Sequence, residues 1–488
     1  MRRPNFGAIM PLVTRRSITI AAAAAATAAA VAAPSSPATA ADAAAARDNA
    51  GPPVPPGERP LFGAQLWRLP HNGLTVAFVE NRRAPVVAQY LFYGVGAGED
   101  PSGRSGVAHF LEHMMFKGSR NVPSGAFSQI VAREGGNDNA FTSRDVTAYF
   151  QHVEASRLPL VMRMEADRVA GATLGAEEFE AERQVVLEER RTRTDSNPRA
   201  RFREAFDAAL WGPQHWHGRP IIGWEDEIRA ITLDDLRGFY ARWYAPENAV
   251  LVVAGDVREA EFRRLVEQEY GAIPAREAPR RMRAPAPAAP HEPRLIRRDP
   301  GVREAAYARS WMAPTLTAGE TKYAYALEVL AHLLGGGQGS RLFKALVETG
   351  LAVGAGAGYD SDSLGAGTFS VYATPRREVA PDRLESAADD VLKRLLDEGP
   401  TEEEVARSIR QMTAGALLAL DSLGAAPRMI GGTLAIGLPI EAVEYWPARL
   451  RAVTRAQVAE AARAVLPAAP NTVGWLLPAD APAGSVRG

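Results

Sequence analysis

The chain has 488 residues with 56 basic and 57 acidic side chains, and a formal net charge of -1 points to neither nucleic acid nor an acidic surface as partner. Apolar residues at 46 % and charged residues at 23 % are the balance of a globular protein, which excludes a disordered or collagen-like chain and fits about two or three domains. There is no cysteine, so thiol catalysis, disulfides, iron–sulfur clusters and cysteine-bearing zinc fingers are excluded, and any metal must be held by His, Asp or Glu.

Arg2, Arg3, Arg15 and Arg16 precede the first acidic residue, Asp42, and Ile18 to Ala33 is a nearly unbroken alanine-rich run. A basic start, a short apolar core and the small-x-small triplet Ala38-Thr39-Ala40 read as a signal peptide over residues 1–40. The run is shorter than the roughly 20 residues a bilayer span needs, so no membrane span is expected after its removal. Thr14-Arg15-Arg16-Ser17-Ile18 is similar to a twin-arginine export signal, and the expected location is periplasmic or otherwise exported. Residues 41–60, rich in Ala, Pro and Gly, read as a disordered linker.

An N-terminal domain is expected over 61–275. From Leu66, an apolar run, then Asn72-Gly73, then the alternation of Leu74, Val76 and Phe78 predict a hairpin with a tight primed turn. Val86 to Val95 follows as a strand, then helices near 105–117 and 124–134, strands near 137–153, and charged helices across 154–191. Ala249 to Gly255 closes this part as a buried strand. Residues 276–293, dense in Pro, Ala and Arg, read as a linker. The remainder, 294–480, repeats the order with a strand near 304–312, a helix near 321–334, a strand near 367–373, helices over 380–465 and a strand over 472–477, before a tail at 481–488. The expected fold class is α+β: two homologous halves, each a mainly antiparallel sheet with helices packed on one face.

The chemistry is concentrated in His109-Phe110-Leu111-Glu112-His113, inside the helical stretch 106–116. Four residues separate the histidines, so both imidazoles lie on one face one turn apart and can bind one metal ion through neutral nitrogens. Glu112 stands on the adjoining edge, placed to reach a metal-bound water without ligating the metal. This is the His-x-x-Glu-His order of the inverted zincins. A peptidase zinc takes a third protein ligand, and the helix 178–191 offers Glu180, Glu182, Glu188 and Glu189. Glu182 and Glu189 are two turns apart on one face; spacing chooses no further.

The motif, with Glu189 76 residues after its last histidine, resembles the insulinase/pitrilysin zinc metallopeptidases, in particular the short bacterial branch similar to the mitochondrial processing peptidase beta subunit. Gly135-Gly136-Asn137-Asp138-Asn139-Ala140-Phe141-Thr142, Asp145, Tyr149, Gly218-Arg219-Pro220-Ile221-Ile222-Gly223 and Ala254-Gly255-Asp256-Val257 extend the likeness over about residues 65–480. The resemblance implies one Zn2+ per chain on His109, His113 and Glu189, with Glu112 as catalytic base and Glu182 supporting the ligands. It also implies that Asn139 and Ala140 lie on a sheet edge to which an extended peptide adds as a strand. The implied activity is endopeptidase cleavage of peptides or unfolded polypeptides.

The second half has no counterpart of the motif. The helix 325–334 holds His332 alone, and the glycine-rich 335–343 stretch reads as a turn between helices rather than a phosphate loop, because it lacks the Lys-Ser/Thr ending. Family members also present an Arg and a Tyr to the substrate from the second half, expected here near 346–353, where neither occurs; Tyr359 is out of register. The resemblance therefore implies a partner: a related zinc-free subunit supplying Arg and Tyr, or a second copy in a homodimer. A non-catalytic assembly or chaperone-like subunit of the same fold is the other reading.

Overall fold

The computed structural model describes residues 54–467 and 469–480; the expected signal peptide, most of the 41–60 linker and the 481–488 tail lie outside them. The first sheet is built from β1 (Gln65–Arg68), β2 (Thr75–Glu80), β3 (Val86–Tyr93), β4 (Asn137–Thr142), β5 (Thr147–Glu154) and β6 (Ala249–Gly255), in the order β1-β2-β6-β3-β5-β4. The second contains β7 (Arg294–Asp299), β8 (Ala306–Ala313), β9 (Ala352–Tyr359), β10 (Gly367–Pro375) and β11 (Asn471–Pro478), in the order β7-β11-β8-β10-β9. Advancing β2 to β6 by five turns the first order into the second. The directions repeat as well: β2 and β6 pair in parallel, as do β7 and β11, and the other pairings are antiparallel. The α+β expectation of two similar halves holds at the level of strand connectivity.

One expected local feature is corrected. The β1–β2 connection is not a two-residue primed turn, since both primed types need positive φ at the first central residue, here Asn72; Gly73 has φ 75°, but no described non-glycine residue has positive φ. Asn72 is instead buried, donating to the carbonyls of Tyr270 and Ile273 at 2.9 and 3.0 Å, and this anchorage widens the loop. The 276–293 stretch forms no helix or strand, yet it is fixed in place. Arg281 Nε lies 2.9 Å from Glu99 and Arg283 Nη2 2.8 Å from Asp145, all four side chains being at least nine-tenths buried. Buried charges persist only when paired in this way.

The helices are α1 (Val107–Met114), α2 (Ala126–Arg133), α3 (Leu158–Gly171), α4 (Ala176–Arg190), α5 (Pro198–Trp211), α6 (Leu233–Trp243), α7 (Glu259–Tyr270), α8 (Ala324–Gly335), α9 (Pro381–Glu398), α10 (Glu402–Ala419), α11 (Ala425–Ala435) and α12 (Arg455–Val465), with shorter turns between some of them. In α1 the apolar positions Val107, Phe110, Leu111 and Met114 form one stripe, which packs with Leu91, Tyr93, Leu251 and Val253 on the inner face of the first sheet. The opposite face of that sheet, with Phe92, Val250 and Val252, is covered by α11 from the second half through Ala426, Ile430 and Ala435. Reciprocally, Phe202 and Phe206 of α5 pack on Leu295 and Leu476 of the second sheet. Both exchanges need glycine: a Cβ would stand 2.1 Å from the Phe92 ring at Gly431 and 2.3 Å from the Phe206 ring at Gly474. Burying each aromatic side chain contributes about 1.5–3 kcal/mol, so the exchanged helices lock the halves together.

Candidate metal centre

The N-terminus of α1 is organised from a distance. Gly106 has φ 91° and offers no side-chain cap; Asp100 accepts instead, from the Gly106 amide at 2.7 Å and the Ala108 amide at 2.9 Å. Burial pushes the Asp100 carboxyl up to about 7. Arg219 donates to the Asp100 carbonyl at 2.8 Å, which gives the Gly218–Gly223 segment a structural role. That segment crosses the helix entrance at Gly223, also left-handed, where a Cβ would stand 2.3 Å from the Ser105 carbonyl oxygen. Arg190, next to Glu189, donates to the Gly223 carbonyl at 2.7 Å, so one crossing ties the ends of α1 and α4 together.

His109 and His113 sit one turn apart with ring centroids 4.7 Å apart. Glu189 Oε2 is 3.1 Å from His113 Nε2 and 3.7 Å from His109 Nε2. One ligand atom from each of the three lies within 4.8 Å of the others, and no second such cluster occurs among the described residues. Of the four candidate carboxylates on α4, Glu189 is thus the one brought to the rings. Glu180 pairs with Arg183 and Glu188 with Arg191, both on the exposed side. Glu182 goes to the other side of His113, its Oε1 2.9 Å from Nδ1, and Lys117 Nζ is 2.5 Å from Glu182 Oε2. Two imidazoles and a carboxylate converging this way are the donor set of Zn2+, and the buried Glu189 Oε2 faces the Nε2 atoms of both histidines, so the residues fit the ion.

The electrostatics follow from burial and these carboxylates. Burial, aided by His113, lowers His109 to about 4, which keeps it neutral as a ligand must be. Burial acts to lower His113 too, but Glu182 and Glu189 outweigh it and bring it to about 9. Glu112 is buried, and desolvation raises its carboxyl above the usual range against the opposing hydrogen bond from Thr142 Oγ1 at 2.5 Å. Thr142 belongs to β4, an edge strand paired with β5 on one side only. On the same strand Asn139 is exposed and its Oδ1 accepts from the Ala140 amide at 2.8 Å, while Ala140 is half-buried. Asp145 is engaged by Arg283, and the buried Tyr149 hydroxyl lies 3.0 Å from that of Tyr244.

In the second half α8 takes the place of α1, and residues 336–340 are the expected turn. His332 on α8 belongs to no metal cluster among the described residues. Tyr359 is spent on structure, its hydroxyl donating to the Pro314 carbonyl at 2.5 Å. Spacing gave no sign of the roles of Lys117, Asp100 and Arg190, because each acts on a partner distant in the chain or, for Asp100, outside the ordinary capping position. Thr142 stands in the quoted motif, but only the fold reveals its partner.

The model of the family described as insulinase (peptidase family M16) matches residues 75–222, and that of the peptidase M16 inactive domain matches 230–412. An uncharacterized zinc protease of Mycobacterium tuberculosis is 34 % identical over 351 residues, covering 68 % of this chain and 74 % of its own. The zinc protease PqqE of Helicobacter pylori is 38 % identical over 206 residues, covering 41 % and 46 %. The crystal structure of a protease from Helicobacter pylori superposes with a TM-score of 0.79 at 26 % identity, over 86 % of this chain and 100 % of that one. The fold is also that of the periplasmic protease PqqL from Escherichia coli, with a TM-score of 0.73 at 22 % identity over 88 % of this chain and 48 % of that one.

Proposed function

The chain belongs to the insulinase family of peptidases, family M16, and from that membership we propose that it is a zinc-dependent endopeptidase cleaving peptides or unfolded polypeptides as the metal-bearing subunit of a dimer. The observation that carries the reading is the convergence of His109, His113 and Glu189 within 4.8 Å, beside a buried Glu112 oriented by Thr142. A zinc ion held by the three ligands would lower the pKa of a bound water toward about 7 and polarise the scissile carbonyl. Glu112 takes up a proton on its carboxylate and returns it to the leaving amine; burial favours its protonated form and Thr142 its ionised form, so it is poised for both halves of the transfer. The open edge of β4 at Asn139 and Ala140 offers backbone groups to an extended substrate of varied sequence.

The dimer rests on two further observations. The second half places no Arg or Tyr in 346–353, and the chain spans about half of a longer fold relative, 48 % of the periplasmic protease PqqL. A related subunit or a second copy would supply the missing Arg and Tyr. No described helix is long and apolar enough to cross a membrane, and the N-terminal segment supports export.

The test is Glu112→Gln, with zinc measured by metal analysis and cleavage measured on unfolded polypeptide, with and without a candidate partner. The expected result is one zinc per chain and activity lowered at least about 100-fold, the scale of a lost general base. Full activity in Glu112→Gln would refute the assignment; a wild type that binds zinc but cleaves nothing with any partner would favour the assembly-subunit reading.

A further inference from the structure

We propose that Lys117 decides which of two carboxylates on α4 serves the metal, by committing Glu182 to the far side of His113. The inference rests on the metal-site reading above and adds a residue to it. Glu182 and Glu189 are two turns apart on one helix face, and the same imidazole lies between them: Glu182 Oε1 is 2.9 Å from His113 Nδ1 and Glu189 Oε2 is 3.1 Å from Nε2. By spacing and chemistry alone either carboxylate could ligate, and His113 could present either nitrogen.

The surroundings break that symmetry. Both oxygens of Glu182 are engaged, Oε1 by His113 and Oε2 by Lys117 at 2.5 Å, and the Glu182 side chain is 7 % exposed. The imidazole and the ammonium, whose own side chain is 30 % exposed, together occupy both Glu182 oxygens and leave neither for a second cation. With Nδ1 turned to Glu182, Nε2 is the nitrogen that faces Glu189 and is left for a metal ion. Glu189 also has a cation, Arg193, but it takes Oε1 and leaves Oε2 to the histidines. Glu189 therefore keeps its charge directed at the histidines. Lys117 is held where this needs it, its amide donating to the Met114 carbonyl at 3.0 Å just beyond the end of α1. The helix carrying the ligands is thus followed directly by the cation that orients one of them. Lys117 touches no ligand nitrogen, and it acts as a positioning residue through Glu182.

The test measures the zinc dissociation constant of the full-length chain by competition with a chromophoric chelator, for wild type, Lys117→Met, Lys117→Arg, Glu182→Gln and the double variant Lys117→Met/Glu182→Gln. Lys117→Met should weaken zinc about tenfold, at the lower end of what loss of an outer-shell partner costs. Lys117→Arg should recover most of that loss. The double variant should bind no more weakly than Glu182→Gln alone, because Lys117 has no route to the metal except through that carboxylate. Should Lys117→Met fail to fold, Lys117→Gln replaces it with the same expectations. A Lys117→Met constant within about twofold of wild type, or a loss that adds in full to that of Glu182→Gln, overturns the inference alone. A wild-type chain that takes up no zinc overturns the metal-site reading and the inference with it.

Discussion

Alanine at Gly223 probes the crossing that holds together the two helices carrying the proposed ligands. Its Cβ would stand 2.3 Å from Ser105 O, 2.7 Å from Ser105 C and 2.9 Å from Gly106 Cα, against an ordinary contact of 3.4 Å or more. All three neighbours are backbone atoms, so no side chain can turn aside, and the Ser105–Gly106 segment must retreat by about 1 Å, an over-packing strain of about 1–3 kcal/mol. The left-handed backbone at φ 91° adds about 1–2 kcal/mol once a Cβ is present. A loss of about 2–5 kcal/mol follows, measured by urea unfolding of the metal-free protein. The displaced segment leads into α1, and the Gly223 carbonyl is also the acceptor for Arg190 beside Glu189. Metal–ligand distances tolerate only about 0.2 Å, so zinc should weaken at least about tenfold, or about 1.4 kcal/mol, in chelator competition. Gly238→Ala in α6 is the control: its Cβ meets nothing within 4 Å, and it should stabilise by about 0.4–1 kcal/mol. A Gly223→Ala protein within about 0.5 kcal/mol of wild type, with unchanged zinc affinity, would refute the reasoning.

Thr142→Val removes the hydrogen bond that favours ionised Glu112, so its carboxyl moves further up and the acid limb of the kcat/KM profile moves to higher pH; an unmoved limb would separate Glu112 from the proton transfer. In the metal-free protein His113 keeps its proton up to about pH 9, whereas His109, at about 4, is neutral near pH 7. Zinc must displace that one proton, so apparent affinity should rise about tenfold per pH unit between pH 6 and 8, with one proton released per ion in calorimetry across buffers; a flat profile would contradict the His113 environment. Gly431→Val would drive a side chain into the Phe92 ring, and about 1–3 kcal/mol of stability should be lost on urea unfolding as α11 is pushed off the first sheet.

Much of this protein follows from short-range rules. The stripe Val107, Phe110, Leu111 and Met114 determines α1, and the four-residue step then places His109 and His113 side by side whatever surrounds them. The buried run of β6 is read from its letters, since a strand covered on both faces must be apolar throughout. Other elements were hidden. The edge strand β7 is mostly charged, β9 alternates glycine with small residues, and the Asn197-Pro198 entrance to α5, whose Asn197 side chain caps the helix, lay in a stretch with no strong apolar pattern. The Asn72-Gly73 pair signalled a turn, but the distant Tyr270 and Ile273 carbonyls claimed the Asn72 side chain and set a wider one.

Helical spacing could reduce the proposed third ligand to a few carboxylates along α4 and no further, because a helix has a period but no knowledge of what faces it. That choice belongs to the packing of α4 against α1, through Arg190, Gly223 and the glycine-lined crossing. The same holds for the covering of each sheet by a helix of the other half and for the pairing of Lys117 with Glu182. Local geometry is written in residues three and four apart; contacts made across tens to hundreds of residues exist only once the chain has closed on itself.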